Sequence, residues 1–130
     1  MGVPIGKAAL RTGVKVPTIR YYEGIGLLRP SDRTESNRRL FGDDEIRRLG
    51  FIRHARELGF EIEAIRQLLD LQDRPDRSCA SVDAIAAERL FEVRHRIQAL
   101  RSLEAELERM LASCSHGIVG ECRVIEALSP

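Results

Sequence analysis

Cys79, Cys114 and Cys122 are the only cysteines in 130 residues, and they bracket an apolar-striped stretch, Ser81 to Leu111, with the period of a helix. A straight helix rises ~1.5 Å per residue, so Cys79 and Cys114 would lie ~50 Å apart along it. One chain cannot bring them together. If two copies of the helix pair antiparallel, Cys79 of one subunit approaches Cys114 and Cys122 of the other, and dimerisation creates a thiolate site.

Cys114 and Cys122 flank the segment Ser115 to Glu121, whose eight steps could span ~27 Å when extended. Gly117 and Gly120 let it fold back, so both sulfurs can reach one ion. Thiolates are soft donors that favour Zn, Cd, Hg, Pb or Cu(I) over Mg or Ca, and the need to deprotonate them couples occupancy to pH. Three thiolates around a divalent ion give a trigonal site of net −1 that suits Hg or Pb, whereas Zn takes a fourth ligand. His116 is the candidate fourth ligand, with a solvent-facing loop histidine as its alternative. Three cysteines in a short chain do not make a disulfide framework. Oxidation of thiols beside Arg123 is the competing chemistry, and three small buried hydrophobes the plain one.

The elements that must carry these groups are mostly helical. Low aromatic content (5%) and abundant Leu, Ala, Arg and Glu favour helices over sheets. Residues 5–23 read as two short helices, Ile5 to Arg11 and Pro17 to Glu23, broken at Gly13, with Ala8 and Ala9 allowing close approach and Ile5, Val14, Val16 and Ile19 forming a shared patch. Lys15 and Val16 supply no cap for the second helix. The polar run after Leu28 reads as a hairpin wing with β-forming ends at Leu28–Arg29 and Arg39–Phe41, in which Asn37 can take a left-handed turn. Asp43 or Asp44 caps a helix running to Leu58, with Ile46, Leu49, Ile52 and Leu58 facing inward and Gly59 stopping it. A further helix covers Glu61 to Leu71, and the segment after it is too polar and Pro-interrupted to be helical.

In the long helix a heptad frame puts Ala86, Leu90, Val93, Ile97, Leu100, Glu104, Leu107 and Leu111 on one seam. A helix of that length outgrows the core available to so small a chain, which favours a partner helix over an intramolecular bundle. The boundaries expected are 1–72 for a winged helix-turn-helix domain with a two-helix extension, 73–80 for a linker, 81–113 for the dimerisation helix, and 114–130 for a thiolate loop and short C-terminal helix.

Charge is unevenly spread. Residues 1–60 hold 12 Lys/Arg against 7 Asp/Glu, while residues 61–130 hold 9 against 13. A basic front half suits a polyanion. No apolar run approaches the ~20 residues of a membrane span, and no secretion signal opens the chain, so a cytoplasmic protein is expected. There is no phosphate loop, no motif with paired catalytic carboxylates, and no nucleophile beside a histidine except Cys114 near His116, so no enzyme is expected.

The string Thr18-Ile19-Arg20-Tyr21-Tyr22-Glu23 with Gly26-Leu27-Leu28 behind it, the Arg39 to Phe41 strand, and the runs Asp44 to Phe60 and Glu61 to Leu71 closely resemble the MerR family of bacterial transcription regulators. The resemblance covers nearly the whole chain. It implies a mainly α protein, with a winged helix-turn-helix head and a long antiparallel coiled-coil helix joining two heads in a homodimer on double-stranded promoter DNA. It also implies Thr18, Arg20 and Tyr21 as contacts from the recognition helix, with Arg38 and Arg39 on the wing. The family usually reads Asn-Gly-Tyr-Arg where this chain has Ser36-Asn37-Arg38-Arg39, so an aromatic is lost and a cation gained. Arg47, Arg48, Arg53 and Arg66 read equally well as solvated surface paired with nearby acids.

The cysteines resemble the metal-sensing branch of that family: Cys114 and Cys122 its metal loop, Cys79 the extra cysteine of its divalent-metal sensors. The loop's length resembles the shorter Cu(I) type, so the two clues conflict, and the third thiolate weighs more because it changes coordination number and charge. The resemblance further implies that metal binding alters how the heads bend and untwist an overlong promoter, so that RNA polymerase can engage. The rivals are a Cu(I) sensor of the same family, a thiol redox sensor, and a metal buffer or chaperone, which needs the thiolates but not Arg20 or Tyr21.

Overall fold

Gly13 ends the first helix because it adopts a left-handed backbone, φ 74° and ψ 10°, that side chains with a Cβ resist. The computed structural model describes residues 2–29, 33–113 and 117–129. It places strand β1 at Val3–Pro4, helix α1 at Ile5–Thr12 and helix α2 at Val16–Gly24, followed by strand β2 at Leu40–Phe41. Helices α3 (Asp43–Glu57), α4 (Ile62–Gln72), α5 (Ala80–Ala112) and α6 (Arg123–Leu128) complete the order. The chain divides into two compact units, Met1–Ile85 and Ala86–Pro130.

The turn between α1 and α2 is held by Thr12, a buried hydroxyl. Its Oγ1 donates to the Ala8 carbonyl at 2.8 Å and accepts the Val14 N–H at 3.2 Å, so no polar atom is left unpaired by burial. As expected, Lys15 makes no side-chain cap for α2, and Pro17 sets its first turn.

The strand pairing departs from the sequence expectation. Leu40–Phe41 pairs antiparallel with Val3–Pro4 and not with Leu28–Arg29, whose leucine is buried in the core. Among the described residues of the wing itself, Arg33 and Arg39 form an antiparallel bridge. Its turn closes through Thr34 N–H to the Arg38 carbonyl and Asn37 N–H to the Thr34 carbonyl, both 2.8 Å. Asn37 takes the left-handed conformation expected of it, at φ 64°.

Helix α3 begins differently from expectation. Gly42 is the N-cap and makes no side-chain hydrogen bond, while Asp43, Asp44 and Glu45 occupy the first turn. These acids act through the positive end of the helix dipole and not as caps. The helix ends in a Schellman motif, with Phe60 N–H donating to the Ala55 carbonyl and Gly59 N–H to the Arg56 carbonyl. Leu58, about 120° round the helix from Ile52, is 54% exposed, and Ala55 takes the inner place expected of it.

Ala8, Ile19, Leu27, Phe41, Leu49, Ile52, Ile65 and Leu69 form the centre of the first unit's core, each no more than 1% exposed. α1, α2, α3, α4 and β2 all contribute to it. Helix α5 is different in kind: 33 residues, none of them buried. No helix among the described residues is long and apolar enough to cross a membrane.

Candidate nucleic-acid interface and metal centre

Helix α2 exposes Arg20 and Tyr21 while burying Ile19 and Tyr22 in the core, so each outward side chain stands beside a residue that anchors the helix. Tyr21 is 56% exposed, with its ring centroid 6.0 Å from that of Tyr22. Thr18 is half-buried on the same helix.

Beside α2 the wing contributes further cations. Arg20, Arg33, Arg38 and Arg39 line one open cavity of about 500 Å³, together with Glu23, Pro4 and Ile5. Four guanidiniums against one carboxylate make it strongly basic, the charge a phosphate backbone seeks. Arg38 is exposed. Arg33 was not singled out from the sequence. It donates to the Asn37 carbonyl at 3.1 Å, and its signal was available as the residue facing Arg39 across the wing turn.

Arg39 is held differently from its neighbours. Its side chain is 11% exposed, with Nε 3.2 Å from Glu23 Oε2 and Nη2 3.2 Å from Glu45 Oε2. Nη2 also donates to the Arg29 carbonyl, and the guanidinium carbon sits 5.1 Å from the centre of the Phe41 ring. The Nε approach to Glu23 is an ion pair out of line for a hydrogen bond.

Three arginines for which a solvated surface is an equal reading of the sequence hold backbone. Arg53 Nη1 donates to the Thr12 carbonyl at 2.9 Å and Arg66 Nη2 to the Ile25 carbonyl at 2.8 Å, at the C-terminal ends of α1 and α2. Arg48 Nε donates to the Leu27 carbonyl at 2.8 Å. Arg47 is solvated and pairs with exposed Asp44.

Of the thiols, Cys79 is exposed at the foot of α5, where its carbonyl accepts the Asp83 N–H at 2.8 Å. Ser78 Oγ accepts the Ala80 N–H at 3.1 Å, an unexpected cap for that helix. Cys79 borders a groove of about 250 Å³ whose apolar lining includes Phe51, Leu68, Leu71, Pro75 and Val82. Cys122 is half-buried between a 3-10 turn, Val119–Glu121, and α6. Cys114 and His116 lie outside the described residues. Among the described residues, no three His, Cys, Asp or Glu of one chain cluster as metal ligands. The donors that are described offer sulfur, which fits a thiophilic ion.

Known proteins share both the head and the long helix. Residues 3–72 match the model of the MerR HTH family regulatory protein, and residues 46–110 match that of the MerR DNA-binding region. The chain is 41% identical to the HTH-type transcriptional regulator ZntR of Escherichia coli K12, over 95% of this chain and 90% of that one. It is 40% identical to heavy metal-dependent transcription regulator 1 of Rhizobium meliloti, over 96% and 86%. The crystal structure of the transcription regulator PbrR691 from Ralstonia metallidurans CH34, in complex with lead(II), superposes with a TM-score of 0.83 at 36% identity, covering 98% of this chain and 99% of that one. With family models spanning the head and most of the long helix, and relatives near 40% identity along almost its full length, the chain belongs to the MerR family of helix-turn-helix regulatory proteins.

Proposed function

We propose that this MerR-family protein is a DNA-binding transcription regulator that senses a thiophilic divalent metal, Zn, Cd, Pb or Hg, through a site shared between two subunits. The observation that carries this reading is Cys79, exposed at the start of a 33-residue helix with no buried residue. A helix with an unburied apolar stripe calls for a partner, and an antiparallel partner delivers Cys114 and Cys122 to that thiol. Relatives described as heavy metal-dependent regulators, and a neighbour solved with lead(II), support a metal effector. His116 is the candidate fourth ligand where the ion asks for one.

Thr18, Arg20, Tyr21 and Arg38 are assigned to the promoter duplex, with Arg39 at the base of the same basic patch. The functional division follows residues 1–72, 73–80, 81–113 and 114–130. When bound, the metal orders the loop at the end of the paired helices and favours one relative orientation of the two heads. It can shift that balance only by its affinity difference between the two states. A coupling of ~1 to 3 kcal/mol is typical of such linkage. The heads then deform the duplex so that RNA polymerase engages it, in the cytoplasm.

Titrating reduced protein with Zn, Cd, Pb, Hg and Cu(I), while following thiolate-to-metal absorption and in vitro transcription together, tests the reading. One divalent ion should saturate absorption and transcription at the same stoichiometry. Activation by Cu(I) alone moves the protein to the copper type. A transcriptional response to peroxide with no response to any metal makes it a redox sensor.

A further inference from the structure

Glu23 is the one charged residue of the Thr18–Glu23 string that no DNA contact absorbs, and a carboxylate beside a polyanion needs a reason. It also stands in the last turn of α2, where the helix dipole disfavours an anion and which holds no basic residue. Arg39 supplies the missing charge from the wing. The same guanidinium lies 3.2 Å from Glu45 of α3, donates to the Arg29 carbonyl and rests on the Phe41 ring. One planar group thus ties the recognition helix, the wing's return strand, the start of α3 and the chain leaving Leu28. A lysine ammonium, a single point charge on a flexible stem, cannot reach two carboxylates and a carbonyl while lying flat on a ring.

From this geometry we infer that Arg39 is a positioning residue of the DNA-binding head: gripped by Glu23 and Glu45, it fixes the wing against α2 and leaves Arg20, Arg33 and Arg38 to meet phosphate. This rests on the DNA-binding reading. The inference carries an unusual sign. Removing the Glu23 charge makes the patch more basic, which by charge alone strengthens attraction to any duplex. Loss of the clamp instead lets the wing drift from the register in which α2 reads its site, so binding to the right sequence weakens while binding to any other does not.

The test uses the full chain and a duplex that the wild-type protein selects from a randomised pool, with an unselected duplex of equal length beside it. Affinity is measured across salt concentrations for Arg39→Lys, Glu23→Gln and Glu45→Gln, and thermal unfolding is recorded for each. Every variant should weaken the selected duplex by about tenfold, the scale of one lost charged contact of the Arg39 guanidinium. The salt slope should stay at the wild-type value, because a lost phosphate contact would lower it by ~0.9. Affinity for the unselected duplex should hold, and rise for Glu23→Gln. The inference is overturned if Arg39→Lys binds the selected duplex as wild type does, if Glu23→Gln tightens it, or if the variants lose both duplexes alike, as a collapsed head would. A wild-type protein that selects no sequence sinks the DNA-binding reading itself, and the positioning role with it.

Discussion

Arg53 spans from α3 to the carbonyl of Thr12, and the space it crosses is the space a side chain at residue 13 would fill. A Cβ built on Gly13 meets the Arg53 guanidinium, and the backbone there is left-handed at φ 74°. Gly13→Ala should therefore cost about 1 to 2 kcal/mol from the left-handed strain alone, with more if Arg53 releases its carbonyl. Gly50, inside α3, meets nothing within 4 Å of its added Cβ. Gly50→Ala should stabilise by about 0.5 to 1 kcal/mol, through helix propensity. Urea unfolding midpoints with unchanged slopes check both signs. At the interface, Arg20→Ala should abolish binding to the promoter and leave metal uptake intact, measured by gel shift and metal titration on one preparation. Equal loss of both activities would contradict a division of labour between head and loop. Arg20 was legible in the sequence because it sits in a motif. The backbone-holding roles of Arg48, Arg53 and Arg66 were not, since the carbonyls they hold lie 21 to 41 residues away. No local pattern distinguishes such a residue from a solvated one.

Helices were legible wherever an apolar period persisted for two turns or more. The bounds of α1, α2, α3 and α4 each fall within a residue or so of those read from the sequence. Strand pairing was not legible, because two-residue strands carry no alternation to read and Pro4 disguises β1. The inner face of α3 was misjudged at one end only. Leu58 lies six residues after Ile52 and so about 120° round the helix from it, and Ile52 is fully buried while Leu58 is 54% exposed. The two positions give opposite expectations. Ile52→Ala removes buried methyls from a closed core and should cost about 2 to 5 kcal/mol. Leu58→Ala, at a surface turn, should change stability by about 0.5 kcal/mol or less. Chemical denaturation of the two variants side by side measures the difference, and similar losses would mean that Leu58 is covered in solution.

Along α5 the seam residues Leu90, Ile97, Leu100, Leu107 and Leu111 remain 44 to 64% exposed, beside Phe91 at 73%. A contiguous apolar stripe of this extent marks an interaction surface and not chance exposure. Covering each of these residues by a second helix recovers about 1 kcal/mol or more, so the stripe can drive pairing by itself. The basic excess of the sequence lies in residues 1–60, at +5 against −4 for residues 61–130, the sign that a duplex-binding front half calls for. Whether paired helices share their thiols is decided by mixing two crippled chains. Cys79→Ser keeps Cys114 and Cys122, and Cys114→Ser keeps Cys79, so each homodimer lacks a ligand in both of its sites. In a heterodimer one site gathers all three native thiols and the other loses two. Random pairing of equal amounts makes half the dimers mixed, so about one quarter of the wild-type metal capacity should return, as two-fold symmetry requires. Co-refolding the two variants and titrating with a divalent ion under reducing conditions reads that fraction directly. If each chain builds its own site, mixing restores nothing, and the antiparallel sharing of thiolates is wrong even though the head still binds DNA.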